Sequence, residues 1–175
     1  MAGTSTPIAS RRTGTDLLGI YLNDHLAGAT AGTELARRVA RSHQNGPDGS
    51  SLRQFSKDVA DDRASLMRIM SALGVTIRTY KVYAAWIGEK VGRLKFNGHL
   101  VTRSPLGSLE ELEILELGVQ GKAAGWRTLL TLADTEHRLN RGQLEGLISR
   151  AERQAELLEE IRRHAADRVI RSRAA

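Results

Sequence analysis

The chain has no cysteine, only three prolines and 4% aromatic residues in 175 positions. Without thiols there is no disulfide, thiolate metal site or cysteine nucleophile, and the redox compartment stays open. So little aromatic content and proline argues against an all-β fold. No apolar run approaches the ~18 residues of a membrane span. Residues 1–15 are small and polar, with Arg11 and Arg12 among them, and lack the apolar centre of a signal peptide. The expectation is a soluble, cytoplasmic protein with no membrane partner. Also missing are a phosphate-cradling glycine loop, a nucleophile–base spacing and an internal repeat.

What is present fits one domain, and a chain of this length buries about two-thirds of its unfolded surface. The net charge is +6, and arginine supplies most of the positive charge. The excess concentrates in residues 51–95. There Arg53, Lys57, Arg63, Arg68, Arg78, Lys81, Lys90, Arg93 and Lys95 face Asp58, Asp61, Asp62 and Glu89. A basic face of this kind suits phosphate or an acidic partner, and it is also what a solvated helix face looks like.

Apolar residues recur at helical spacing in four long stretches. Residues 1–13 read as a disordered tail, 14–171 as the domain and 172–175 as a short tail. The first stripe is Leu18, Tyr21, Leu22, Ala29, Leu35, Ala36 and Val39, after a Thr13/Asp16 pair at capping-box spacing. Its middle, 27–32, is unusually small. Each glycine costs a helix about 1 kcal/mol relative to alanine, so Gly28 and Gly32 predict a close helix–helix approach. The second stripe is Leu52, Phe55, Val59, Leu66, Ile69, Met70 and Leu73, interrupted at Gly74 and resumed from Ile77 to Leu94. Ser108 with Glu111 predicts the start of the next helix, which carries Leu109, Leu112, Val119, Ala123, Trp126 and Leu130. Asn140 with Gln143 opens the last, with Leu144, Leu147, Ile148, Ala151, Ala155, Leu158, Ala165 and Val169. The pattern predicts an all-α antiparallel four-helix bundle with one helix broken near Gly74.

Three titratable groups fall on these stripes: His25, Asp62 and Glu116, on three different helices, with Glu113 and Glu152 at the edges. Ionisable groups are seldom buried unless paired or bound to a metal. One reading is a carboxylate–imidazole site for iron, manganese or zinc, as in ferritin-like bundles. Those bundles use Glu-x-x-His pairs, and no histidine here has a Glu three residues before it. The other reading is a hydrogen-bonded cluster that fixes helix register, with Asp62 and Glu116 paired to His25 or to an arginine. Lys122, on one helical face with Gly118 and Trp126, is a candidate partner for an acidic group on another helix.

The break at Gly74 has a second interpretation. Ile69, Leu73, Gly74, Val75, Tyr80 and Tyr83 are spaced as in helix-turn-helix DNA binders, which would set Arg78, Thr79 and Lys81 toward nucleic acid. Met70, where that motif needs a small residue, and the apolar stripe running on to Leu94 count against it.

Residues 84–98, Ala-Ala-Trp-Ile-Gly-Glu-Lys-Val-Gly-Arg-Leu-Lys-Phe-Asn-Gly, resemble an uncharacterised family of helical proteins common in high-GC actinobacteria. The likeness continues through Ser104-Pro105-Leu106, Glu111-Leu112-Glu113, residues 117–122, Trp126 and residues 150–154, covering most of 17–165. The resemblance implies a ferritin-like topology without that superfamily's full ligand set, and a bacterial cytosol. The functional expectation is a non-enzymatic bundle working by protein–protein association, as a homo-oligomer or with another protein. Metal binding and DNA binding are the alternatives.

Overall fold

The computed structural model describes residues 14–78 and 105–171, with side chains from Leu17 and Leu106 onward in the two stretches. These residues form four helices and no strand: α1 (Gly14–Ser42), α2 (Gly49–Ala72), α3 (Pro105–Leu132) and α4 (Arg141–Arg171). None is long and apolar enough to cross a membrane.

Local chemistry explains where they begin and end. The α1–α2 turn needs glycine at Gly49, where a Cβ would lie 2.6 Å from the His43 carbonyl oxygen. At the far end of α2, Gly74 takes φ 70°. Its N–H donates to the Ser71 carbonyl and that of Val75 to Met70, a Schellman cap. The predicted break is therefore a helix terminus, and residues 75–78 are not helical. The resumed stripe beyond Arg78 and the Thr13/Asp16 cap lie outside the described side chains.

Helix α3 starts earlier than the Ser108/Glu111 pair predicts. Pro105, which has no N–H to leave unpaired, opens it, and Glu111 reaches across to Arg38 at 3.1 Å. The Asn140 cap forms as read: the Gln143 N–H donates to Asn140 Oδ1 at 2.9 Å.

Helix α1 packs on α2 and α3, and α4 packs extensively on α3 and lightly on α2. The apolar core falls into two halves. One gathers Val39, Phe55, Leu112, Leu115, Leu158 and Ile161. The other gathers Leu22, Leu26, Met70, Trp126, Leu129 and Leu144. The four helical stripes meet as their spacing predicts, and a polar layer lies between the halves.

Candidate functional site

Asp62 of α2 forms the centre of that layer and is 2% exposed. Lys122 Nζ, on α3, donates to Asp62 Oδ2 at 2.6 Å. From α4, Gln154 Nε2 donates to the same oxygen at 3.1 Å, while the Arg150 guanidinium pairs with Oδ1. Lys122 also donates to Gln154 Oε1. Burial pushes the Lys122 ammonium below the usual lysine range, although the charge and hydrogen bond of Asp62 pull it back up. Removing charges from water costs several kcal/mol per ion, so the pairing offsets a penalty and fixes how three helices sit together.

Beside this layer a cleft of about 970 Å³ opens between α1 and α3, with α2 as its floor. Its walls carry Ala27, Gly28, Ala31 and Gly32 from α1 and Gly118, Gly121 and Gly125 from α3, with Phe55, Val59 and Leu66 below. This overturns the close approach predicted for Gly28 and Gly32. A Cβ at either glycine, or at Gly118 or Gly121, would meet nothing within 4 Å. Small side chains on two facing helices make room here instead of contact. Gly125 alone behaves as predicted for its neighbours: a Cβ there would come within 3.0 Å of the His25 ring.

His25 is held on the cleft wall by Tyr21, edge to face with ring centroids 4.4 Å apart. Burial lowers its pKa below 6.5 and Asp24 partly restores it. Trp126 also lines the cleft and is 3% exposed, yet its indole Nε1–H has no hydrogen-bond partner. A buried donor left unpaired costs about 1–3 kcal/mol. Arg63 crosses from α2 to donate to Thr30 Oγ1 of α1 at 2.9 Å.

The proposed metal ligands are not assembled into one site. Among the described residues no group of three or more His, Asp and Glu is placed to hold a metal ion. Metal bonds of ~2.0–2.2 Å leave no slack for ligands aimed elsewhere. Asp62 is committed to two cations, Glu116 faces Arg162 at 4.0 Å, and His25 rests on Tyr21. Glu113 is exposed, and Glu152 pairs with Arg127 on the surface at 3.0 Å. These residues do not fit iron, manganese or zinc. The alternative reading of a buried paired cluster holds for Asp62, and Lys122 does meet an acidic group on another helix, whereas Glu116 is 30% exposed and only faces Arg162 at 4.0 Å.

Of the residues proposed to face nucleic acid, Thr79 and Lys81 lie outside the described residues. Arg78 is exposed, and its backbone N–H donates to Asn23 Oδ1 at 2.8 Å. Asn23 also donates to the Thr76 carbonyl, so a buried α1 amide pins the segment leaving α2. Sequence reasoning missed Asn23, Arg150 and Gln154. Only Gln154 left a signal, three residues after Ala151 and four before Leu158 on the apolar stripe. Comparison with family models, curated proteins and solved structures finds no match to this chain.

Proposed function

We propose that this chain is a non-enzymatic, ferritin-like helical bundle that acts by association, with the cleft between α1 and α3 as its acceptor. The topology is supported by pairs at the helix ends. Tyr21 meets Thr128 and Arg38 meets Glu111, so α1 and α3 run in opposite directions. Asp48 meets His164 and Leu73 meets Arg138, which does the same for α2 and α4. Arg127 with Glu152 and Glu116 with Arg162 oppose α3 and α4. Helices α2 and α3 then run the same way, as do the two helices flanking the long connection of a ferritin-like bundle. The sequence resemblance supports the same topology and a bacterial cytosolic setting.

The observation that carries the functional reading is the cleft itself. Ligand sites are typically ~300–1,000 Å³, mostly apolar, with a few placed polar groups, and this cleft matches on each count. Titration with the uncharged apolar dye Nile red tests it. Saturable binding near one dye per chain is expected, abolished in Gly121→Leu, whose side chain enters the cleft. Dye that fails to bind, or binds that variant equally, sinks the reading.

Leu117, 72% exposed and next in sequence to the cleft residue Gly118, favours a protein partner or second copy as another form of association. Light scattering over a concentration series, compared with Leu117→Lys, reads it out. A monomer at every concentration removes the self-association form.

A further inference from the structure

We infer that the cleft takes an amphiphilic monocarboxylate, a single anionic head on an apolar chain, with the head against Lys122 and Trp126. This rests on the cleft being an acceptor site and adds what selects the ligand. Lys122 and Trp126 are four residues apart on α3, hence on one face of the helix, and both line the cleft.

Lys122 has three hydrogens to donate. Two go to Asp62 and Gln154, and the third has no acceptor among the described residues. The indole N–H of Trp126 has none either. Two donors without acceptors on one face of α3, the Lys122 ammonium and the buried Trp126 indole N–H, belong to residues that line an apolar cleft and call for a ligand that brings acceptor oxygens.

The sign of the charge points the same way. Lys122 and Arg150 both pair with Asp62, with the more distant Asp58 as a second carboxylate near Lys122. Of the acids that line the cleft only Asp62 is buried, and Lys122, Arg63 and Arg38 line it as cations. At the cleft mouth Asp24 and Glu34 are exposed, and Glu34 already pairs with Arg37. A cationic head would meet Lys122 at close range and is disfavoured. Most of the rest of the wall is glycine, alanine and apolar side chains, with Tyr21, His25, Thr30 and Arg38 among them, and its apolar part suits a hydrocarbon body.

The test compares three probes with one tail, each below its micelle concentration: dodecanoate, dodecanol and dodecylammonium. Binding to the full chain is read by calorimetry. Dodecanoate is expected to bind one per chain and about ten-fold or more tighter than dodecanol, the worth of a hydrogen bond to a charged group. Dodecylammonium should bind weakest. Trp126→Phe keeps the ring, loses the donor, and should weaken dodecanoate about 2–10-fold with dodecanol unchanged.

Lys122→Met should erase the preference for the carboxylate, but it also disturbs Asp62. The ratio between the two probes is therefore the readout, since a merely structural loss weakens both alike. Gly28→Leu, on the opposite wall, stands in if Gly121→Leu does not fold. Nile red binding with dodecanoate no tighter than dodecanol overturns the head-group assignment and leaves the cleft reading intact. No binding of dye or any amphiphile overturns both.

Discussion

Gly121 and Gly125 lie one helical turn apart on α3 and face the same helix, yet they do opposite things. At Gly125 the two helices close, and an added Cβ would strike the His25 ring at 3.0 Å. At Gly121, as at Gly118 and across from them at Gly28 and Gly32, the same added atom would meet nothing. One interface is thus shut at one end and open along the rest. Lys122, next to Gly121 and three residues before Gly125, reaches inward to Asp62, so the polar layer is level with the open stretch and lies within one helical turn of the closing point. A helix held by a buried ion pair can leave its neighbouring face unfilled, because its position does not depend on packing there.

The largest effect should come from that anchor. Asp62→Ala leaves the partly buried Lys122 and Arg150 without their carboxylate, and it should cost up to about 3–5 kcal/mol in urea unfolding. Replacing both partners, as Asp62→Leu with Lys122→Met, should recover much of the loss, because burying an uncompensated charge is the main penalty. If Asp62→Ala unfolds at the wild-type midpoint, the layer does not hold the helices.

The glycines offer a sharper test of the open and closed ends. Gly28→Ala and Gly118→Ala should each stabilise by up to about 1 kcal/mol, the gain in helix propensity with no clash to offset it. Gly125→Ala should lose that gain as the imidazole is pushed aside. Equal shifts in thermal midpoint at all three positions would erase the distinction.

Acidification probes the closed end through His25. Burial lowers its folded pKa, so in the window below 6.5 the unfolded chain binds more protons than the folded one. Stability therefore rises with pH through that window, is fully present above 6.5, and falls as pH drops toward the folded pKa. His25→Gln should flatten this dependence in chemical unfolding measured from pH 7 downward. An unchanged slope would place the titration elsewhere.

The smallest effect belongs to the outer surface. Arg127 and Glu152 pair at 3.0 Å across α3 and α4, but both are about half exposed. Arg127→Ala should shift stability by no more than about 0.5 kcal/mol, a difference that thermal melts would barely register.

Much of this architecture was legible in residue spacing. The α2 stripe from Leu52 to Leu73 is buried at every position read from the sequence. Asn140 caps α4 as its side chain requires, and Gly74 marks the end of α2 because a left-handed residue closes the last turn. Asp62 could be picked out as a charge on an apolar stripe, and Lys122 as its kind of partner. The partner's identity was less accessible. Arg150 sits in a helix crowded with arginines, and nothing local separates the one that turns inward from those that stay in water. The metal reading failed for a related reason: spacing places a side chain on a face but does not say which opposing face it meets.

The sequence by itself determined four amphipathic helices, their turns and the few charged groups that had to be accommodated inside, since period and capping are local properties. Only the tertiary structure decided that the small residues of α1 and α3 enclose space instead of bringing backbones together. Glycine permits both outcomes equally. The distance between two helices is set by whatever else they touch, here the His25 ring at one end and the ion pair of Asp62 with Lys122 beneath.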